Sequence, residues 1–283
     1  MKFQLKALAA ALALAVTLPA HAAIDKGNTG NGSLVLTLLD RVGTISATFD
    51  LGKNYSDFSS SPNVAGNTAL NGGFVASGID AAGTSLSWNL TQGDYAAAYT
   101  SFFATATAAN TLYGVVASDL LGPSTPGGRG YITTYNLTTP GGGITTSQVA
   151  SALGAYDTYL TQANIEGNHQ AVANGGGTAI SGQGYAGSAI FGDVSLDRLN
   201  GVGPTVLGAL GTDLGVKQVS LFGTSLTQAN QYIFANNAKF SLSSTGILTY
   251  STAAVAAVPE ADTWAMMFMG LGLMGFIARR KQA

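Results

Sequence analysis

Several stretches of the chain alternate apolar and polar residues with a period of two. In Ile45-Ser46-Ala47-Thr48-Phe49-Asp50-Leu51 the apolar side chains fall on one face. Leu86-Ser87-Trp88-Asn89-Leu90 repeats the pattern, with Trp88 turned inward. A strand sends successive side chains to opposite faces, so both segments predict half-buried strands. Ser33 to Leu39 is a more continuous apolar run and predicts a strand covered on both faces. Leu112 to Ala117 and Tyr131 to Leu137 are further strand candidates, separated by the turn-rich Gly122-Pro123-Ser124-Thr125-Pro126-Gly127-Gly128. Phe240 to Ser243 and Ile247 to Tyr250 flank Ser244-Thr245-Gly246, which predicts a hairpin.

One segment departs from period two. Val149, Leu153, Tyr156, Leu160 and Ala163 recur at spacings of 4, 3, 4 and 3, one face of an amphipathic helix of roughly 18 residues. Thr145, Thr146 and Ser147 are N-cap candidates, Gly167 is a candidate C′ residue, and Tyr159 flanks the apolar stripe. The helix is expected to cover an end or open face of the strands, with partner binding as the alternative. Runs at Gly141 to Gly143 and Asn174 to Gly177 bracket it like an insertion. Together these elements predict a mainly β body, a sandwich or jelly-roll type with one amphipathic helix.

The two ends follow a different logic. Lys2 and Lys6 precede an apolar stretch from Ala7 to Leu18, Pro19 breaks it, and Ala20-His21-Ala22 is a small-x-small cleavage site. Residues 1–22 therefore read as a secretory signal peptide cut after Ala22. At the other end, Trp264 to Ala278 holds 15 residues without a charge. As a helix it would be ~23 Å long, a marginal span for a bilayer core of roughly 30 Å. Trp264 stands at the place of an interfacial aromatic, and Arg279, Arg280 and Lys281 at the place of a cytoplasmic stop. Gly270, Gly272 and Gly275 would let another helix approach closely.

Val258-Pro259-Glu260-Ala261, the apolar helix and the basic end occur in the order of the PEP-CTERM sorting signal, which this tail resembles. Pro259 and Glu260 match the motif, while Ala261 stands where the family name has a second proline. The resemblance covers Val258 to Lys281. It implies a Gram-negative producer of extracellular polysaccharide and processing by exosortase, a membrane-embedded transpeptidase-like enzyme with a cysteine nucleophile. The domain reading is signal peptide 1–22, exported body 23–250, spacer 251–257, and sorting tail 258–283 with a transmembrane helix at 264–278.

Two of the 14 acids and five of the 12 bases lie in the ends, leaving the body 12 acids and 7 bases, a net charge of −5. So sparse and acidic a surface excludes nucleic acid as a partner, which requires clustered cations. The absence of cysteine excludes thiol nucleophiles, thiolate metal sites and disulfides. The 38 glycines fit a turn-rich all-β protein.

Candidate chemistry is thin. His169 is the one histidine left after signal removal, and it sits in a Gly/Asn-rich loop where a solvated side chain is expected. Glu166 is the body's single glutamate. Asp193 and Asp197, beside Arg198, form the densest acid cluster, a surface turn or a loop-stiffening calcium site. The Gly182 to Gly187 and Gly270 to Gly275 strings match G-x-G-x-x-G outside any βαβ context. Tyr95, Tyr99, Tyr113, Tyr131 and Tyr135 are mostly expected in the core, with sugar stacking by a subset as the alternative.

No catalytic, cofactor-binding or metal residue is assigned. The sequence points to a non-enzymatic exported protein of the cell surface or matrix, associated with exopolysaccharide or biofilm. A lectin-like module and a secreted hydrolase using His169 or Glu166 are the alternatives. The expected partners are the secretion translocon, signal peptidase, an exosortase-like enzyme and exopolysaccharide, with a transient inner-membrane anchor through the C-terminal helix.

Overall fold

The computed structural model describes residues 23–59, 77–119, 130–137, 144–187, 207–220, 229–254, 266–271 and 280. The signal region, the turn at 122–128, Gly141 to Gly143, the Asp193–Asp197 cluster, Val258 to Ala261, Arg279 and Lys281 lie outside the described residues. Contacts divide the chain into a body ending at Ala253 and a second unit from Ala254 onward.

The mainly β body is as the alternation requires. Its described strands are β1 (Ser33–Asp40), β2 (Ile45–Asn54), β3 (Ser85–Asn89), β4 (Thr111–Asp119), β5 (Gly130–Asn136), β6 (Gly176–Ile180), β7 (Gly208–Ala209), β8 (Asp213–Ser220), β9 (Asn230–Ile233), β10 (Lys239–Leu242) and β11 (Ile247–Ser251). All their pairings are antiparallel, and they run in one sheet in the order β3-β11-β10-β8-β5-β4-β1-β2-β6, with β7 on β4 and β9 on β8. The helices are α1 (Tyr55–Phe58), α2 (Ala96–Phe103) and α3 (Thr146–Ala163).

A sandwich would place two separate sheets face to face. Here one sheet curls into a half-barrel. Trp88 on β3, at one end of the path, donates its indole N–H to the Leu51 carbonyl on β2, next to the other end, at 2.8 Å. Phe58 of α1 stacks on Phe240 of β10 at 5.9 Å and meets Tyr250 of β11 edge-on at 5.1 Å. Curvature of this kind needs local relief. A register shift between Ser33 and Val35 supplies some of it. Gly215 in β8 supplies more, since a Cβ there would come within 2.5 Å of the Tyr135 ring.

The curl gives the sheet two cores. Leu34, Leu36, Leu38, Phe49, Tyr113, Val216, Phe240 and Tyr250 fill the concave side with α1 and α2. Val35, Leu39, Val116, Tyr131 and Val219 face outward, under Val149, Leu153, Tyr156 and Leu160 of α3. β1 is thus buried at all eight positions, as its continuous apolar run predicts.

The helix has the predicted 18 residues. Its capping box is built by Thr145, whose hydroxyl accepts from the Gln148 N–H at 3.2 Å while its own N–H reaches the Gln148 side chain at 2.8 Å. Its other end departs from expectation: Asn164 is the C-cap. Gly167, at φ 60°, serves a different need, because a Cβ there would lie 2.2 Å from the Gly176 carbonyl. The predicted β10–β11 hairpin forms, with Gly246 at φ 81° closing its three-residue loop.

β2 corrects the half-buried reading, because Ser46, Thr48 and Asp50 are as buried as their apolar neighbours. Tyr159 corrects another. It is fully buried, not flanking, and its hydroxyl bonds Thr48 and, at 3.3 Å, Thr37. The last body contacts are Thr252 N–H to the Thr84 carbonyl at 3.0 Å and Ala253 N–H to the Asn236 carbonyl at 2.7 Å.

If the Trp88–Leu51 bond helps to hold the curl of the sheet, Trp88→Phe should keep the ring packing and lose about 1 kcal/mol in urea unfolding. Trp88→Ala should cost about 3 kcal/mol or more, since it also vacates the contact with Phe240. An unchanged midpoint for Trp88→Phe would remove the bond from the account of the curl.

Candidate functional site

The C-terminal end of α3 carries a polar stripe. Asp157, Thr161 and Asn164 are spaced i, i+4, i+7 and so share one face of the helix. All three engage the N-terminal segment. The Asn164 side chain accepts from the Ile24 N–H at 2.7 Å and donates to the Ile24 carbonyl at 3.0 Å. The Asp157 carboxylate accepts from the N–H groups of Gly27 and Asn28 at 3.1 and 2.9 Å, and Lys26 Nζ donates to Thr161 at 3.1 Å. Ile24 is buried in the outer core. None of these partners could be paired from sequence, because they lie 129 to 140 residues apart.

Among the described residues, Asp40, Asp50, Lys217 and His169 are buried titratable groups elsewhere in the body. Burial pushes the Asp40 carboxyl up. The N–H groups of Gly43 (2.8 Å), Thr107 (3.0 Å) and Val42 (2.9 Å) outweigh that effect and leave it below the usual carboxylate range. Burial holds Asp50 above that range despite bonds from Gly52 N–H and the Ser33 hydroxyl, both at 2.9 Å. Burial lowers Lys217 to about 8, where it donates to Gln231 at 3.0 Å and lies 5.8 Å from the Tyr135 ring centroid.

His169 overturns the expectation of a solvated loop residue. It is fully buried, its burial lowers it to about 4, and neither ring nitrogen meets a hydrogen-bond partner. The nearby Thr48 backbone weakly favours its charged form. Thus no carboxylate or hydroxyl is bonded to the one histidine a triad would need. Glu166 is partly exposed just past α3. Among the described residues no three His, Asp or Glu side chains gather as metal ligands do.

The tyrosines divide as their pattern requires. Tyr113 and Tyr131 are fully buried, while Tyr95 donates to the Asp50 carbonyl at 2.6 Å and Tyr99 packs on Phe103 at 4.8 Å. Tyr135 lines a cleft of about 400 Å³ on the body surface. Leu137 and Ile233 form its apolar part, and Asp213, Lys239 and Asn237 its polar part. Asp213 and Lys239 are ion-paired at 2.5 Å and both partly exposed. Tyr185, inside the glycine string, is buried in a turn of the outer core.

In the second unit, residues 266–271 are helical and exposed, including Met266, Phe268 and Leu271. Among the described residues no helix is long and apolar enough to cross a membrane, so a span at 264–278 is not shown. Arg280 is exposed. Compared with known protein families, residues 257–281 match the model of the PEP-CTERM protein-sorting motif. The chain carries the PEP-CTERM sorting motif. No family is recognised in the body, and no curated protein or solved structure matches the chain. The PEP-CTERM motif implies an exported protein, anchored at a membrane in transit, sorted by an exosortase-like enzyme and displayed at the cell surface.

Upstream of the PEP-CTERM motif, His169 gives the body a measurable pH signature. Its folded value of about 4 lies below the ordinary 6.5, so its contribution is complete above pH 6.5 and is lost as pH falls towards 4. That difference corresponds to about 3 kcal/mol. Asp50 acts in the opposite direction, gaining stability as it protonates above its ordinary value of 3.8. His169→Phe should therefore flatten the loss between pH 6.5 and 4 in urea titrations. Equal acid slopes in the two proteins would remove His169 from the linkage.

Proposed function

We propose that the protein is a non-enzymatic component of the cell surface or extracellular matrix, delivered by its C-terminal PEP-CTERM motif. The observation that carries this reading is the match at residues 257–281, with the basic end in place after the apolar segment. The body supports it less directly. Among the described residues its histidine, His169, is buried without a hydrogen-bond partner, and buried groups such as Thr48, Tyr159 and Asp157 hold elements together. Export begins with the signal peptide at residues 1–22, cut after Ala22. The translocon, signal peptidase and an exosortase-like enzyme are the partners of this route, and a Gram-negative envelope with exopolysaccharide is its setting.

The decisive test is the mass of the C-terminal peptide in each cell fraction. Protein at the surface should end between Val258 and Ala261. The Glu260→Ala variant should keep Arg279-Arg280-Lys281 and stay with the inner membrane. An intact basic end on surface-displayed wild-type protein would overturn processing at the motif. Turnover of any glycan or ester that disappears in Glu166→Gln would overturn the non-enzymatic reading.

One observation favours a lectin-like second reading. The cleft beside Tyr135 joins aliphatic walls to a fixed carboxylate–ammonium pair and an amide, a mixture suited to the apolar and hydroxyl faces of a sugar. Immobilised native polysaccharide should then retain the wild type and release Asp213→Ala, whose loss leaves Lys239 without its partner. Equal retention of both proteins would discard the cleft as a sugar site.

A further inference from the structure

A sheet that curls without closing keeps an edge at each end, and the two ends of this one are finished differently. At the β6 end the edge is stopped. The Asn168 side chain accepts from the Gly176 N–H at 2.7 Å, and the Asn168 N–H donates to the Gly176 carbonyl at 3.2 Å. Gln183 treats Ile180 in the same way. Its side chain accepts from the Ile180 N–H at 3.3 Å, and its N–H donates to the Ile180 carbonyl at 3.0 Å. Between these two stops the Thr178 hydroxyl meets that of Ser101 on α2 at 3.3 Å.

The β3 end has no such stops among the described residues. Leu90 N–H donates to the Gly246 carbonyl at 2.9 Å, and the Thr84 carbonyl accepts from the Thr252 N–H at 3.0 Å. Backbone groups alternate in direction along a strand, so Leu86 and Trp88 also face β11. Ser85, Ser87 and Asn89 therefore turn their N–H and C=O groups to the open side. A long bond from the Gln92 N–H to the Asn89 carbonyl, at 3.4 Å, is the one contact recorded there among the described residues. Ser85 and Ser87 are exposed. Edges are ordinarily protected by a charge, a proline or a bulge. Ser85-Leu86-Ser87-Trp88-Asn89 has no charge and no proline, and it pairs with β11 without a register shift.

The order of residues selects the partner. The segment is polar at 85, 87 and 89 and apolar at 86 and 88, a pattern symmetric about Ser87. We infer that β3 is a pairing edge for a second copy of this chain, laid antiparallel about a two-fold axis at Ser87. Ser87 then faces its own copy, and Ser85 faces Asn89, with about six N–H···O=C bonds across the seam. The small polar side chains meet on the outer face. On the inner face Leu86 comes opposite Trp88 of the second copy. Both are half-buried in the single chain and rest on the concave core, so each covers what the other leaves open. The contact is isologous and uses the edge up, so assembly stops at two and does not grow into a fibre. A five-residue seam buries less than the roughly 1,200 Å² of a stable interface, so the pair forms and parts with concentration. Display on one cell surface would raise the concentration at which copies meet, but the pairing itself does not rest on that reading.

The test uses the full-length protein in detergent, followed by sedimentation and by residue-resolved amide exchange over rising concentration. The wild type should pass from one copy to two. Its Ser85, Ser87 and Asn89 amides should slow by about tenfold over the same range, while those of Leu86 and Trp88 are slow throughout. Ser87→Lys and Ser87→Glu each set like charges opposite one another, so each protein alone should stay single, and an equimolar mixture should pair again. Slow exchange at Leu86 and Trp88 in both variants shows that β3 is still seated on β11. A wild type that stays single at every concentration would overturn the proposal. So would pairing that survives in Ser87→Lys, which places the contact on another surface, or a mixture that fails to pair. Ser87 amides already slow in dilute protein would mean that the chain covers its own edge, and would overturn it as well.

Discussion

The body depends on burying β1 and β2 on both faces. A strand covered on one side can give its polar side chains to water, but β2 cannot. Ser46, Thr48 and Asp50 all point into the outer core. A buried hydroxyl or carboxylate without a partner costs several times what a satisfied one contributes. Each must therefore be met, and what meets them defines the rest of the outer layer. Tyr159 reaches Thr48 and Thr37, Ser33 reaches Asp50, and Ser46 accepts from the Ala186 N–H at 2.9 Å. α3, the N-terminal segment and the turn after β6 are in place because the outer face of two strands carries polar groups that need them.

That constraint also marks the limit of what could be read from the sequence. The local signals were legible. The apolar run of β1, the stripe and N-cap of α3, and the Gly246 hairpin each depend on residues within a few positions of one another. Period two in β2 was visible, but alternation says only which side chains share a face. Whether the polar face meets water or a helix is decided by a segment more than 100 residues later. Tyr159 looked peripheral for the same reason, since its partners are hydroxyls and not the apolar stripe. His169 looked solvated because its neighbours in sequence are Asn and Gly, while the strand that buries it is distant. The curl was invisible too, because a bulge and one glycine in a strand carry little local signature.

Two of the mismatches concern the candidate site. Asp157 and Asn164 fall on the polar side of α3, where an exposed face is the ordinary expectation for a helix. Their i, i+7 relation is visible in the sequence, but nothing local distinguishes it from solvated surface. The partner of Asn164 is a lone isoleucine, Ile24, 140 residues before it, and no local pattern joins the two.

The chain has no cysteine, so no covalent link secures the body after export. Stability has to come from packing that forms once the chain has crossed the membrane. The outer core is then the vulnerable part, because its lid, α3, meets β1 and β2 across more than 100 residues of sequence. Contacts of such range form late and slowly. An element that fastens the lid to the start of the chain shortens that risk. It ties α3 to β1 through residues 24–33 at both ends of the segment, by Asn164 and Asp157 on the helix and by Ser33 on the strand. The same geometry explains why the polar stripe is at the C-terminal end of α3. There the C-cap residue Asn164 turns its side chain to Ile24, while the N–H groups of Asn164, Ile165 and Glu166 meet the last carbonyls of the helix. The helix end thus supplies partners for the backbone groups of residues 24–28, which a disulfide between the same elements would not do.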